Sequence, residues 1–178
     1  MRKLGLILIV ASVSVVAITG TGIGIWLGVK SQNFLPHPDS EWSFKISGNI
    51  VGEDFNITLA ELIAMPSHKD DYVIRGSTTF EAEYQGVLLS YLFEDIIDVN
   101  VSATTVTFVA IDEYSLNFNI DELLSKDSPI LAYKMDGQYL ESKEDGGTGY
   151  LRLILPPESD QDYNGPLCLK WIVEIIFT

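Results

Sequence analysis

This sequence predicts an α+β domain made mostly of strands, behind one N-terminal apolar helix. Three observations carry that expectation. Residues 4–29 hold no charged side chain. After residue 41 the chain breaks into short alternating or β-branched runs, with only brief stretches of helical spacing. Between the two parts, SQNFLPHPDSE places two prolines, an Asp and a Ser where no helix can continue.

As a helix rising ~1.5 Å per residue, residues 4–29 would be about 39 Å long, enough to cross a hydrocarbon core of about 30 Å with some tilt. A cleaved signal peptide is the rival reading. Its apolar core is usually only ~7–15 residues and ends at a small-residue site, whereas Trp26, Leu27 and Val29 continue this run to Lys30. Arg2 and Lys3 precede the span and only Lys30 follows it closely, so the positive-inside rule expects the N-terminus in the cytoplasm and residues 31–178 outside the cell membrane. The sequons at Asn56 and Asn100 are glycosylation candidates that would be reachable only on a translocated domain. The expected organisation is a stub at 1–3, a membrane-spanning helix at 4–29, a linker at 30–41 and a folded domain at 42–178.

Composition excludes several classes. The 178 residues are 47% hydrophobic, too many for a disordered chain, and one Cys permits neither an internal disulfide nor a multi-Cys zinc site. The formal charge is −14. All 25 acids lie after residue 30 against 8 bases (the 11 less Arg2, Lys3 and Lys30), a net −17 that disfavours nucleic acid as a partner.

Along the outer part, W-S-F-K-I-S at 42–47 alternates as a half-buried strand, and Phe55 and Ile57 continue the pattern. Thr58 and Glu61 form a capping box for a helix over 58–65, which Pro66 stops. Short strands are expected at 72–74 and 80–84, flanking Gly76. Leu88, Leu89, Leu92, Phe93, Ile96 and Ile97 recur at helical spacing. Residues 104–111 read as a buried β-branched strand paired with 114–120, followed by a helical turn or two at 121–125. Asp136-Gly137 between 130–135 and 138–140 signals a type I′ hairpin, in which both turn residues need positive φ. Apolar strands are expected at 150–155 and 169–177.

The segments WSFKISGNI, ITLAELIAMP, EYQGVLLSYLFEDI, VTFVAIDEYSLNFNIDELL, ILAYKMDGQYLESKEDGG, YLRLILP and LKWIVEIIF, in this order and spacing, cover nearly all of the outer domain. Together they resemble the oxidoreductase molybdopterin-binding domain, the catalytic domain of the sulfite oxidase family. The resemblance implies that fold and a molybdopterin cofactor whose molybdenum is held by one Cys thiolate in the segment after the first helix. Here that segment, 72–80, holds no Cys. A soft metal centre needs a thiolate, and a Ser hydroxyl is a poor substitute. The family's His before the L-R-L strand is replaced around Asp145-Gly146-Gly147, and Leu167 stands where a Lys meets the pterin phosphate. Arg152 and Lys170 match motif positions and are the cofactor-binding candidates. The sole Cys, Cys168, reads as a small buried hydrophobe.

No nucleotide-binding, serine-hydrolase or H-E-x-x-H motif occurs, and His37 and His68 are the only imidazoles, both expected in Pro-flanked or polar loops. Asp160, Asp162 and Asn164 match the start of a calcium loop, D-x-D-x-N-G, but the twelfth position is Trp171 and a strand follows. The competing reading is a polar connecting loop. The expected function is therefore a membrane-anchored extracytoplasmic relative of the molybdopterin-binding domain, non-catalytic and without cofactor, that binds a small ligand or an envelope protein partner. The alternative is a molybdopterin-dependent oxidoreductase with atypical ligation.

Overall fold

The computed structural model describes Asp39 and residues 41–178. The expected membrane helix at 4–29 and most of the linker lie outside the described residues. Among the described residues no helix is long and apolar enough to cross a membrane.

Two five-stranded sheets carry the domain. The first has the order β2-β1-β10-β5-β6, from β1 (Ser43–Gly48), β2 (Phe55–Thr58), β5 (Thr105–Ala110), β6 (Ser115–Asn119) and β10 (Ile172–Phe177). β1 and β10 run parallel, Lys45 opposite Glu174, and the other pairs are antiparallel. The second has β3 (His68–Arg75), β4 (Thr79–Leu88), β7 (Ile130–Met135) and β8 (Gln138–Tyr139) in that order, while β9 (Arg152–Ile154) pairs with the other half of β7. Inward residues of both sheets, among them Phe44, Phe108, Tyr84 and Leu131, belong to a single hydrophobic core.

The short helices behave as their local chemistry requires. α1 (Leu59–Ala64) begins at Thr58, whose hydroxyl accepts from the Glu61 amide while the Glu61 carboxylate accepts from the Thr58 amide. The helix buries Leu59, Leu62 and Ile63. α3 (Ile120–Leu124) is capped by Asn119. At Asp136 and Gly137, φ is 50° and 77°, as a type I′ turn demands.

Several elements differ from the sequence expectation. The pieces at 72–74 and 80–84 are one long hairpin, β3 and β4, whose outer half is masked in sequence by Lys69, Asp70, Asp71, Glu81 and Glu83. His68 is no loop residue: it opens β3 opposite Gly86. The helix expected over 88–97 is one turn, α2 (Leu89–Tyr91), that widens into a π-helical segment (Leu92–Ile96), where the Ile97 amide donates to the Leu92 carbonyl. The last strand begins at Ile172 rather than 169, because Trp171 has φ 59° and turns the chain out of the extended region.

Candidate functional site

β9 is buried along its whole length, because β7 pairs with one side of it and Leu169 and Lys170 approach the other. Arg152 therefore points a guanidinium into the interior at 5% exposure. Its Nη1 donates to the Tyr84 hydroxyl on β4 at 2.8 Å, its Cζ lies 5.6 Å from the Tyr84 ring centre, and its Nε is buried with no partner. Burial pushes the Tyr84 hydroxyl's pKa up, and the nearby Arg152 charge partly opposes this. Lys170, the cross-strand partner of Arg152, is exposed. Its ammonium pKa is lowered by partial desolvation and then by Arg152. Lys45, Lys69, Arg75, Lys126 and Lys143 each reach a carboxylate, whereas Lys134, which lies over the Tyr139 ring, Arg152 and Lys170 form no ion pair with a described residue. The two sequence candidates are thus brought together as neighbouring cations without counter-charge.

Cys168 sits beside this pair but faces inward. The Leu155 amide donates to Sγ at 3.4 Å, and burial pushes the thiol's pKa up, with Arg152 a weaker opposing influence. Up-shifted, enclosed thiols are poor nucleophiles and poor metal ligands.

The segment 72–80 forms the end of the β3–β4 hairpin. Tyr72 is buried there and donates to the Ser128 carbonyl at 2.7 Å, and the turn closes through the Gly76 amide and the Thr78 carbonyl. No side chain of this segment is a thiol.

Asn164 accounts for the loop that resembles a calcium site. It is buried, its Oδ1 accepts from the Arg75 amide at 2.8 Å, and its Nδ2 donates to the carbonyls of Val73 and Leu155 at 3.0 and 2.7 Å. Asp162 accepts from the Glu158 amide, and Asp160 pairs with Arg75 at 3.3 Å. Asn164 and Asp160 pin the connection between β9 and β10 onto β3, and Asp162 braces the loop itself, which a sequence pattern alone cannot distinguish from ligation. Asp145 accepts from the Ser142 hydroxyl, and Leu167 packs against the core. Asn56 is exposed on β2. The Asn100 carboxamide oxygen accepts from the Ser102 amide and hydroxyl.

A concavity opens where Trp42, just before β1, the start of β10 and the loop after β8 meet. Its free volume is about 200 Å³, and Trp42, Tyr150, Trp171 and Lys143 form its walls. Sequence reasoning does not single it out. Its only signal there is three aromatic residues far apart in the chain.

The oxidoreductase molybdopterin binding domain, as a family, matches residues 32–178. The chain belongs to that family. The sulfane dehydrogenase SoxCD of Paracoccus pantotrophus is a solved structure with a similar fold, at TM-score 0.64 and 16% identity over 79% of this chain. The match spans 39% of that chain, so the likeness establishes the mostly-β, sulfite-oxidase-type fold alone. No curated protein matches the chain.

For this member of the molybdopterin-binding family, the donor set can be compared with the cofactor's needs. Arg152 and Lys170 could face an anionic group. The metal end is not provided for: segment 72–80 has no thiolate, and the Cys168 sulfur is turned toward Leu155. The residues present do not fit a molybdenum centre of the thiolate-ligated kind.

Proposed function

We propose that the chain is a non-catalytic member of the molybdopterin-binding family that kept the scaffold and lost the metal site. In this reading it is anchored in the cell membrane through residues 4–29, with its domain outside. It binds a small ligand or an envelope protein partner. One observation carries the reading: the only thiol, Cys168, is buried with its Sγ 3.4 Å from the Leu155 amide, and segment 72–80, where the family places its ligand, has none. Leu167 in place of a phosphate-binding Lys and Asp145 in place of an imidazole point the same way.

The test is to produce the full-length protein in a host that makes the cofactor and to measure molybdenum by elemental analysis. The expected content is far below stoichiometric, and a near-stoichiometric content overturns the reading. The placement is tested by adding protease to intact cells: residues 42–178 should be removed, and their protection rejects it.

A specific observation favours a second reading. Arg152 and Lys170 lie side by side with no described carboxylate as partner, which suits an anionic cofactor. If molybdenum is found, Cys168→Ala asks whether that thiol has become the ligand of a molybdopterin-dependent oxidoreductase.

A further inference from the structure

Three aromatic side chains that the sequence scatters converge on one cleft. Trp42 and Tyr150 meet edge to face with ring centres 5.2 Å apart, and Trp171 lines the same cavity. Trp171 is held there against its own backbone preference. Its φ of 59° is costly for a bulky residue, and such strain persists only where the surroundings impose it. Its amide donates to the Thr148 carbonyl, its carbonyl accepts from the Ile111 amide, and its indole N–H donates to the Gly147 carbonyl at 2.9 Å. Gly149 permits the close approach, since a Cβ there would stand 2.6 Å from the Trp171 Cα. With its indole N–H committed, Trp171 has its ring faces left for interaction.

One of those faces already carries a cation. The Lys143 ammonium lies 4.1 Å from the ring centre and 3.5 Å from the Asp112 carboxylate. Around the cleft stand Glu144, in its wall, and Asp39 and Asp145, both near the Tyr150 hydroxyl. Asp39 and Ser142 both interact with the Tyr150 hydroxyl, holding the ring in place at the cleft. Aromatic faces attract cations, most of all desolvated ones, and carboxylates at the rim add to that field while opposing anions. The free volume, about 200 Å³, is below the ~300–1,000 Å³ usual for drug-sized ligands, so the occupant is a headgroup rather than an extended molecule.

We propose that the Trp42–Tyr150–Trp171 cleft binds a small organic cation of the quaternary-ammonium class, with the Lys143 ammonium as its internal competitor. The proposal rests on reading the domain as a ligand-binding module, but its test reads the cleft alone. Full-length protein is titrated with tetramethylammonium and with choline, following tryptophan fluorescence, beside the neutral tert-butyl isostere of choline. Saturable quenching by both cations and none by the isostere is expected. Lys143→Gln, on an exposed loop, should tighten binding about threefold or more by removing the competitor. Trp42→Ala should abolish binding with the fold retained by circular dichroism. No saturation in either the wild type or Lys143→Gln overturns the proposal, and so does equal binding of the neutral isostere. Weaker binding by Lys143→Gln also overturns it, because the lysine would then be part of the site. Molybdenum loading would reject the functional reading above while leaving this titration interpretable. An empty cleft in metal-free protein would reject only this inference.

Discussion

The Arg152 guanidinium meets the Tyr84 hydroxyl at 2.8 Å across the interior, 68 residues apart in sequence, and the guanidinium has no carboxylate partner among the described residues. A cation left in a low-dielectric interior is costly, and the one neutral acceptor on Tyr84 moderates that cost. This relationship makes the pair, rather than either residue, the unit to perturb.

Tyr84→Phe should therefore destabilise the protein by roughly 2 kcal/mol, since it strands a charged donor. Adding Arg152→Met to that background should recover much of the loss, because an apolar side chain of similar length no longer needs a partner. Urea unfolding of the two single variants and the double variant checks this. Additive losses would show that the two side chains are not coupled.

The Cys168 thiol should be silent in the folded protein. Its pKa is raised by burial and its sulfur faces Leu155, so a disulfide reagent should label it only as the chain unfolds. Cys168→Ala should cost about 1 kcal/mol, an ordinary core truncation. Rapid labelling under native conditions would contradict the placement of the sulfur.

Two glycines separate backbone strain from crowding. At Gly137 φ is 77° and nothing lies within 4 Å of the place a Cβ would take, so Gly137→Val should cost roughly 1–2 kcal/mol from conformation alone and Gly137→Asn much less. At Gly86, a Cβ would fall 2.3 Å from the Leu131 carbonyl oxygen, which is main chain and cannot swing aside. Gly86→Ala should cost roughly 1–3 kcal/mol, with no rescue by Asn or Ser. Thermal unfolding midpoints of these variants decide between the two causes.

Stability should fall in alkali. Desolvation first, then the hydrogen bond to Asp39, pushes Tyr150 from its ordinary 10.0 up to about 12. Between those values the folded state keeps a proton that the unfolded chain releases, so the unfolding free energy declines as pH rises from about 10 toward 12, and the stabilisation is fully present below 10. Tyr72 and Tyr84 are raised by burial in the same direction. Ultraviolet titration should show tyrosinate appearing late in the native protein, and Tyr150→Phe should lessen the alkaline loss.

Much of this architecture is legible in the residues themselves. Thr58 and Glu61 announce α1, and Asp136-Gly137 announces the β7–β8 turn, because both signals are local and act through the backbone of their neighbours. The β3–β4 hairpin looks too short in sequence for a physical reason. Its outer half is solvated and carries Lys69, Asp71 and Glu83, whose charges hide strand periodicity until the strands pair and Lys69 meets Glu83 at 2.8 Å. The π-helical widening at 92–96 has the same apolar spacing as an α-helix, so the pattern cannot distinguish them. Arg152 and Lys170 are legible as candidates. The contact with Tyr84, the inward turn of Asn164 and the left-handed backbone at Trp171 are not, since each depends on segments distant in the chain.

The parallel pairing of β1 with β10 sets the order in which the polypeptide can be completed. β1 emerges early in synthesis, yet one of its two sides stays open until residues 172–177 arrive between it and β5. The carbonyl of Thr178 then accepts from the amides of Thr104 and Thr105, tying the residue after β10 to the start of β5. Pairings of such long sequence separation close slowly. Until then the ribosome-bound chain exposes Phe44 and Ile46, which end in the core, to any chaperone or neighbouring nascent chain. A premature stop within the final strand would take the centre out of a five-stranded sheet rather than trim its rim, so such a product should be degraded rather than merely weakened.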